Sequence, residues 1–355
     1  MTSADDDPHH SLPFALRLRT FSAMLNAELV DHPVYERIDL QWFEDRLHGK
    51  GMLAFLMRKD GTIDYYAEPG LRLDRSGYEV GAGVHTWRTV AFDHAYLKLT
   101  GDGVNAHARF TDAEGRLIEV DICDRNGIPR HPVPFLAPVS AGTMEPPSFL
   151  AVWLPQFDLA RQLDGEAPRV RIGGELAQLG SIPGAGLHGR LQVKYASPVV
   201  AVEINHDDDV LSGSLGDALP VLAPDGGLRA LVASSAGHTA SLNFSPAFPA
   251  TLDAAARGRW RLRVDEHLVT GGTWALQPVL ESFDLRLRVT RPWRPRHLPP
   301  VLRIVTTAMP VFRRWPLTYA WRAAVSPEGA VTAACWSRTA EADELSFPRV
   351  LRSSR

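Results

Sequence analysis

His107, Arg109, Glu119 and Asp121 are the residues whose types and spacing best suit chemistry in this chain. They flank Asp112-Ala113-Glu114-Gly115, which fits a hairpin loop built from a type I turn closed by a left-handed glycine. With Ala113–Gly115 as the loop, Asp112 faces Arg116, Phe110 faces Ile118, Ala108 faces Val120 and Ala106 faces Ile122. That face is apolar throughout. The other face then pairs His107 with Asp121 and Arg109 with Glu119. A slip by one residue would mix the two faces, so the pattern itself selects the register. A histidine held by a carboxylate can serve as general acid and base, and a nearby arginine can polarise an anionic oxygen. The competing reading is a solvent-facing sheet with cross-strand charge pairs, each contributing roughly 0.2–1 kcal/mol.

A second concentration of chemistry lies in 285–327. That stretch holds Arg286, Arg288, Arg291, Arg294, Arg296, Arg303, Arg313, Arg314 and Arg322, interleaved with Trp293, Phe312, Trp315, Tyr319 and Trp321, and it has no acidic residue. Guanidinium forks beside aromatic faces suit phosphate, carboxylate or planar ligands. Arg291-Pro292-Trp293-Arg294-Pro295-Arg296 reads as a rigid loop, which makes Arg291, Trp293 and Arg294, with Trp321, the expected ligand contacts. Trp42 opens a dense polar–aromatic run, Trp42–His48, that reads as a packed segment or, in the alternative, as a lid or entry loop before the first confident strand. His85 with Trp87 is a smaller pair of the same kind.

Motifs for cofactors and metals fail on context. Gly184-Ala185-Gly186-Leu187-His188-Gly189 matches GxGxxG, but a strand-like stretch follows it where a dinucleotide site needs a helix. His206-Asp207-Asp208-Asp209 lacks the turn glycine and ligand count of a calcium loop and reads as a solvated linker. Neither a phosphate-binding loop, nor a GxSxG elbow, nor HExxH is present. No cofactor and no metal are therefore expected.

The elements that must position these residues are mostly strands. Period-two stretches run from about residue 50 onward, and Lys59-Asp60-Gly61 is a strong hairpin signal between Met52–Arg58 and Thr62–Tyr66. Further strands are expected at 87–92, 95–100, 104–111, 116–123, 149–154, 170–172, 191–196 and 199–204, and throughout the second half. Phe14, Leu18, Phe21, Leu25 and Leu29 have helical spacing, which predicts a leading helix, packed on the body or lying on a membrane surface. Another helix is expected from Thr251. Ser326-Pro327-Glu328-Gly329 predicts a second hairpin with Val325 facing Val331 and Trp321 facing Cys335.

The expected fold is all-β and mainly antiparallel, in two β-barrel or sandwich-like units of lipocalin-like type with a few short helices. Residues 1–12 read as a flexible tail, 13–205 as the first β domain, 206–216 as a linker, 217–345 as the second β domain and 346–355 as a tail. The chain has 355 residues and a formal charge of −3, so its overall charge does not mark a nucleic-acid binder, and no nucleic-acid partner is expected. The longest apolar run, Phe149–Leu154, is far short of the ~20 residues of a membrane-spanning helix. The acidic start does not resemble a secretory signal, and two cysteines, Cys123 and Cys335, cannot form a disulfide framework. A cytoplasmic location is expected.

This plan is similar to that of tandem lipocalin-like proteins such as carotenoid 1,2-hydratases and double-barrel isomerases and cyclases. The similarity is one of plan, with no shared motif, and it implies a cavity for an apolar or amphipathic small molecule. The expected function is thus binding of a small lipophilic molecule. If the protein is an enzyme, the chemistry is metal-free acid/base work of hydratase, isomerase or cyclase type, with His107 and Asp121 as the couple. The alternative is a non-catalytic binding or scaffold protein that uses 285–327 for an anionic partner, with peripheral contact to a membrane allowed.

Overall fold

The computed structural model describes residues 12–78, 82–139, 145–162, 168–182, 189–293, 298, 300–308 and 314–338. They build a nearly all-β, mainly antiparallel fold of three sheets, one of them curled into a half-barrel.

The first sheet contains β1 (Leu16–Phe21), β2 (Ala23–Glu28), β3 (Tyr35–Asp45), β4 (Gly49–Arg58), β5 (Ile63–Ala67) and β6 (Val84–Thr89). It is completed by β10 (Val133–Ala137), β11 (Phe149–Arg161), β14 (Arg190–Ala196) and β15 (Val199–Ile204). Two lanes of this sheet are broken strands. β1 pairs with β15, and β2, beyond a break at Ser22, pairs with β14. The long β11 receives β15 along its first half and β14 along its second. The second sheet is the antiparallel order β13 (Glu175–Ala177), β12 (Arg169–Ile172), β9 (Leu117–Cys123), β8 (Gly103–Thr111), β7 (Tyr96–Thr100). The third is a meander in chain order: β16 (Leu219–Leu222), β17 (Leu228–Ser235), β18 (His238–Phe248), β19 (Ala256–Val264), β20 (His267–Val279), β21 (Ser282–Arg291), β22 (Tyr319–Val325) and β23 (Val331–Arg338).

The first sheet backs both others. Its β1, β15 and early β11 residues join the meander in one core, where Phe14, Phe149, Trp260, Trp274, Trp321 and Trp336 are fully buried. Its β2, β3, β4 and β14 residues close a second core against Val104, Ala106, Ala108, Phe110, Ile118, Val120 and Ile122 of the second sheet. The segment between the halves is stitched down: Arg17 forks onto Asp209 at 2.6 and 2.8 Å, and the Leu18 N–H donates to Asp217. The 206–216 segment itself holds a short helix, Asp207–Ser212.

Trp260 explains why β20 carries glycine at 272. Its indole N–H crosses to the Arg288 carbonyl at 3.2 Å, and a Cβ added at Gly272 would lie 1.6 Å from that oxygen. Gly272→Ala is expected to cost about 3 kcal/mol or more, read as a lower denaturant midpoint at unchanged m-value. A shift below about 0.5 kcal/mol would contradict this packing.

Asp39 on β3 is a buried carboxyl that accepts from the Asn26 amide at 2.8 Å. Burial raises it to about 6. Between its unfolded value, near 4, and 6 the native state holds a proton that the unfolded chain releases, so this residue's contribution to stability falls as pH rises through that window. Asp39→Asn is expected to match the parent at pH ~4 and to exceed it by about 3 kcal/mol at pH ~7. Equal stability of the two proteins at neutral pH would refute the assignment.

Four expectations are corrected. Residues 14–29 hold β1 and β2, not a helix: alternate residues are buried, Leu16, Leu18 and Thr20 and then Ala23, Leu25, Ala27 and Leu29. The break at Ser22 shifts the phase of a period-two pattern, and the shifted pattern imitates helical spacing. No helix starts at Thr251; bends lead directly into β19. Trp42–His48 is not a lid but the end of β3 and its turn into β4, where Asp45 accepts from the backbone of Leu47 and His48 and from the His48 ring. In the last hairpin Val325 does face Val331, but a bulge follows, and Trp321 faces Trp336 rather than Cys335. The bulge lets both indoles point into the core, where each is buried.

Candidate functional sites

The β8–β9 hairpin has the register read from sequence: His107 pairs with Asp121, Arg109 with Glu119, Ala108 with Val120. Its apolar face is buried in the second core, which leaves the polar face to solvent, with Arg109 and Asp121 exposed. On that face Arg109 lies 3.5 Å from Glu119 and 3.6 Å from Asp93, and Asp121 lies 3.8 Å from Arg169. The His107 ring stacks on Tyr96. The four residues therefore share one sheet face, each beside an ordinary surface partner.

The tip of the same hairpin reaches a denser constellation. Asp112 shapes the turn by accepting from the Glu114 and Arg116 N–H groups, and its second oxygen accepts from Arg116 Nε at 2.7 Å. Arg116 Nη2 donates to the Tyr35 hydroxyl at 2.8 Å, and that hydroxyl donates to Asp64 at 3.0 Å. The guanidinium groups of Arg58 and Arg116 both lie over the Tyr35 ring, on which His32 stacks. Burial, reinforced by the Asp64 charge, raises the Tyr35 phenol far above its ordinary value, so it remains a donor to the carboxylate.

Asp64 is the hub. Its side chain is 0% exposed and also takes Arg58 at 2.8 Å and His85 Nδ1 at 2.6 Å. Because Asp64 can only accept when ionised, His85 donates from Nδ1 and carries its other ring nitrogen, Nε2, away from the hub; the His85 side chain is 43% exposed. Placement depends on an irregularity of β6. Ile63 pairs with Val84, but Asp64 pairs with Thr86, so His85 is an inserted residue. Without that insertion His85 and Trp87 would share a face. Instead His85 meets Asp64, and Trp87 stacks on Tyr65, 4.7 Å between centroids. A buried acid orienting an exposed imidazole is the geometry of a general base. Of the pair read from sequence, His85 belongs here and Trp87 to a neighbouring aromatic cluster. Sequence reading missed Asp64, whose signal was an acid inside the apolar strand Ile63–Ala67.

Residues expected to bind a ligand in 285–327 do not converge. Trp321 is fully buried in the first core. Trp293 packs edge-on against Phe135 and Trp153. Arg291 is exposed at the end of β21, and Arg294 lies outside the described residues. Trp42 is half-buried against the second core, its N–H 3.3 Å from Glu44. The GxGxxG run, 184–189, lies outside the described residues except Gly189.

The arginines of β21 form a surface with residues that sequence reading passed over. On β19, Trp260, Leu262 and Val264 point into the core, and Arg257, Arg259, Arg261 and Arg263 point out, all exposed. Register aligns Arg257 with Ala275 and then Arg286, Arg259 with Thr273 and then Arg288, and Arg261 with Gly271 and then Arg291. Arg322 on β22 is opposite Arg286. On the other flank Thr239, Ser241, Asn243 and Ser245 of β18 face outward. Among the described outward positions of β18–β22 there are eight arginines and one acid, Asp284, which holds Arg286 and Arg322. Arginines two apart along a strand are roughly 7 Å apart, and those two strands apart roughly 10 Å.

No protein-family model, curated protein or solved structure matches this chain.

Proposed function

We propose that the protein binds an extended phosphate-bearing polyanion through the outer face of its meander. The observation that carries this reading is the Arg257–Arg259–Arg261–Arg263 row continued by Arg286, Arg288 and Arg291 across a lane of small neutral residues. Like charges 7 Å apart repel by about 0.6 kcal/mol in water before salt screening. That is small enough for the fold to bear, and a polyanion converts it into attraction. The small lane of Gly271, Thr273 and Ala275 leaves the guanidinium forks room to reach phosphates bidentately. Trp315, Tyr319 and Trp321 are buried and Trp293 packs half-buried against Phe135 and Trp153, so none of these rings gives the arginine face a stacking platform and the contact is to charge, independent of sequence. Retention on duplex DNA or on phosphatidylserine-rich vesicles at low salt is expected. Passage of the protein through both at low salt would rule the reading out.

A second reading, small-molecule acid/base chemistry in a lipocalin-like fold, is favoured by one observation: buried Asp64 orients exposed His85. In that reading His85 Nε2 accepts or returns the proton, and Arg58, 2.8 Å from Asp64, helps hold the carboxylate in place.

A further inference from the structure

Among the described residues, a group of buried and half-buried charged side chains at one end of the second core has more positive than negative members. Arg130 follows β9, Arg161 ends β11, Arg190 begins β14 opposite Arg161, and Tyr195 sits on β14 opposite Asp158. Asp124 and Asp158 are the carboxylates among its described members. Asp124, fully buried, accepts from the Val104 and Arg161 N–H groups at 2.7 and 3.1 Å and from Arg130 Nη2 at 3.1 Å. Arg130 is 7% exposed and also bonds the Asp102 and Asp124 carbonyls. Arg190 lies 4.0 Å from Asp158.

After these bonds the buried donors Arg130 Nη1, Arg161 Nε and the Tyr195 hydroxyl have no partner, the last on a residue 4% exposed. A buried donor without an acceptor costs about 1–3 kcal/mol, and more when charged. The three share one electrostatic environment. Burial lowers Arg161, and Arg130 and Arg190 lower it further; burial raises Tyr195, helped by Asp158 and Asp124.

We propose that a small monoanion, chloride or a carboxylate of acetate size, binds among Arg130, Arg161 and Tyr195. Such an ion accepts from all three donors and balances the third guanidinium. A water would accept from at most two of the donors and leave the charge unbalanced. Neither Arg130 nor Tyr195 is exposed, so the site selects by size against bulky sulfonates.

The test is thermal unfolding of the full chain in sodium chloride, sodium acetate and a bulky sulfonate salt at equal ionic strength. The melting temperature is expected to rise saturably with chloride or acetate and not with the sulfonate. Tyr195→Phe should weaken the apparent ion affinity at least about tenfold while melting normally in the sulfonate salt. Replacing the four β19 arginines should leave the rise intact, separating this site from the outer face. Crystals of the unaltered protein soaked in bromide provide a check that needs no variant: an anomalous peak within hydrogen-bonding reach of the Tyr195 hydroxyl is expected. Identical melting in all three salts, a rise that survives Tyr195→Phe, or a water in place of bromide would overturn the proposal.

Discussion

Asp64→Ala is expected to lower folding stability by about 3 kcal/mol, because it removes the buried carboxylate that a half-buried guanidinium and a buried phenol share. The loss should exceed that of any substitution at Arg109 or Glu119, which stand in water and contribute about 0.2–1 kcal/mol. His85→Gln should cost little by comparison, since the ring is partly exposed and Asp64 keeps Arg58 and Tyr35. Histidine nitrogen resonances supply a second readout. The parent should show the neutral His85 ring carrying its proton on Nδ1, where Asp64 accepts it. Asp64→Asn should release that preference even where the variant remains folded. An Asp64→Ala protein as stable as the parent would show that the cluster is not held through this carboxylate.

Replacing Arg257, Arg259, Arg261 and Arg263 together by Ser is expected to abolish measurable polyanion binding and leave the fold intact. Each arginine near an anionic lipid surface contributes about 1 kcal/mol, so four correspond to roughly a thousandfold in affinity. On duplex DNA the same change removes about four phosphate contacts and flattens the salt dependence by about 3.6 log units per log unit of salt. The side chains point away from the core, and relieving their mutual repulsion should hold or raise the melting temperature. Lys at all four positions should restore part of the affinity, because charge is kept and the bidentate fork is lost. Unchanged binding by the Ser variant would place the contact elsewhere.

Strands and one hairpin were legible where alternation ran unbroken and one face had to be apolar. That is why Phe110–Ile118 and His107–Asp121 pair as the residue types demand. Breaks in alternation were not legible. Ser22 shifts the phase between β1 and β2, and the bulge before Val325 moves Trp321 opposite Trp336. The Asp64–His85 contact depends on an inserted residue in a parallel strand pair, which local sequence does not announce. The arginine face escaped for a different reason. Charge tallied by segment groups Arg286 and Arg288 with Trp321, yet strand alternation sends the arginines outward and the tryptophan inward. Tallied by face, Arg286 and Arg288 join Arg257 and Arg259 from another strand. The period-two run Arg257-x-Arg259-x-Arg261-x-Arg263 was the available signal.

The most direct measurement is a salt titration of the unaltered protein's affinity for duplex DNA and for phosphatidylserine-rich vesicles. The arginine face predicts binding at low salt to at least one of them, with affinity on duplex falling roughly a hundredfold between about 50 and 200 mM salt if four phosphates are engaged. Affinity that ignores salt, or no binding to either at the lowest salt, would contradict it.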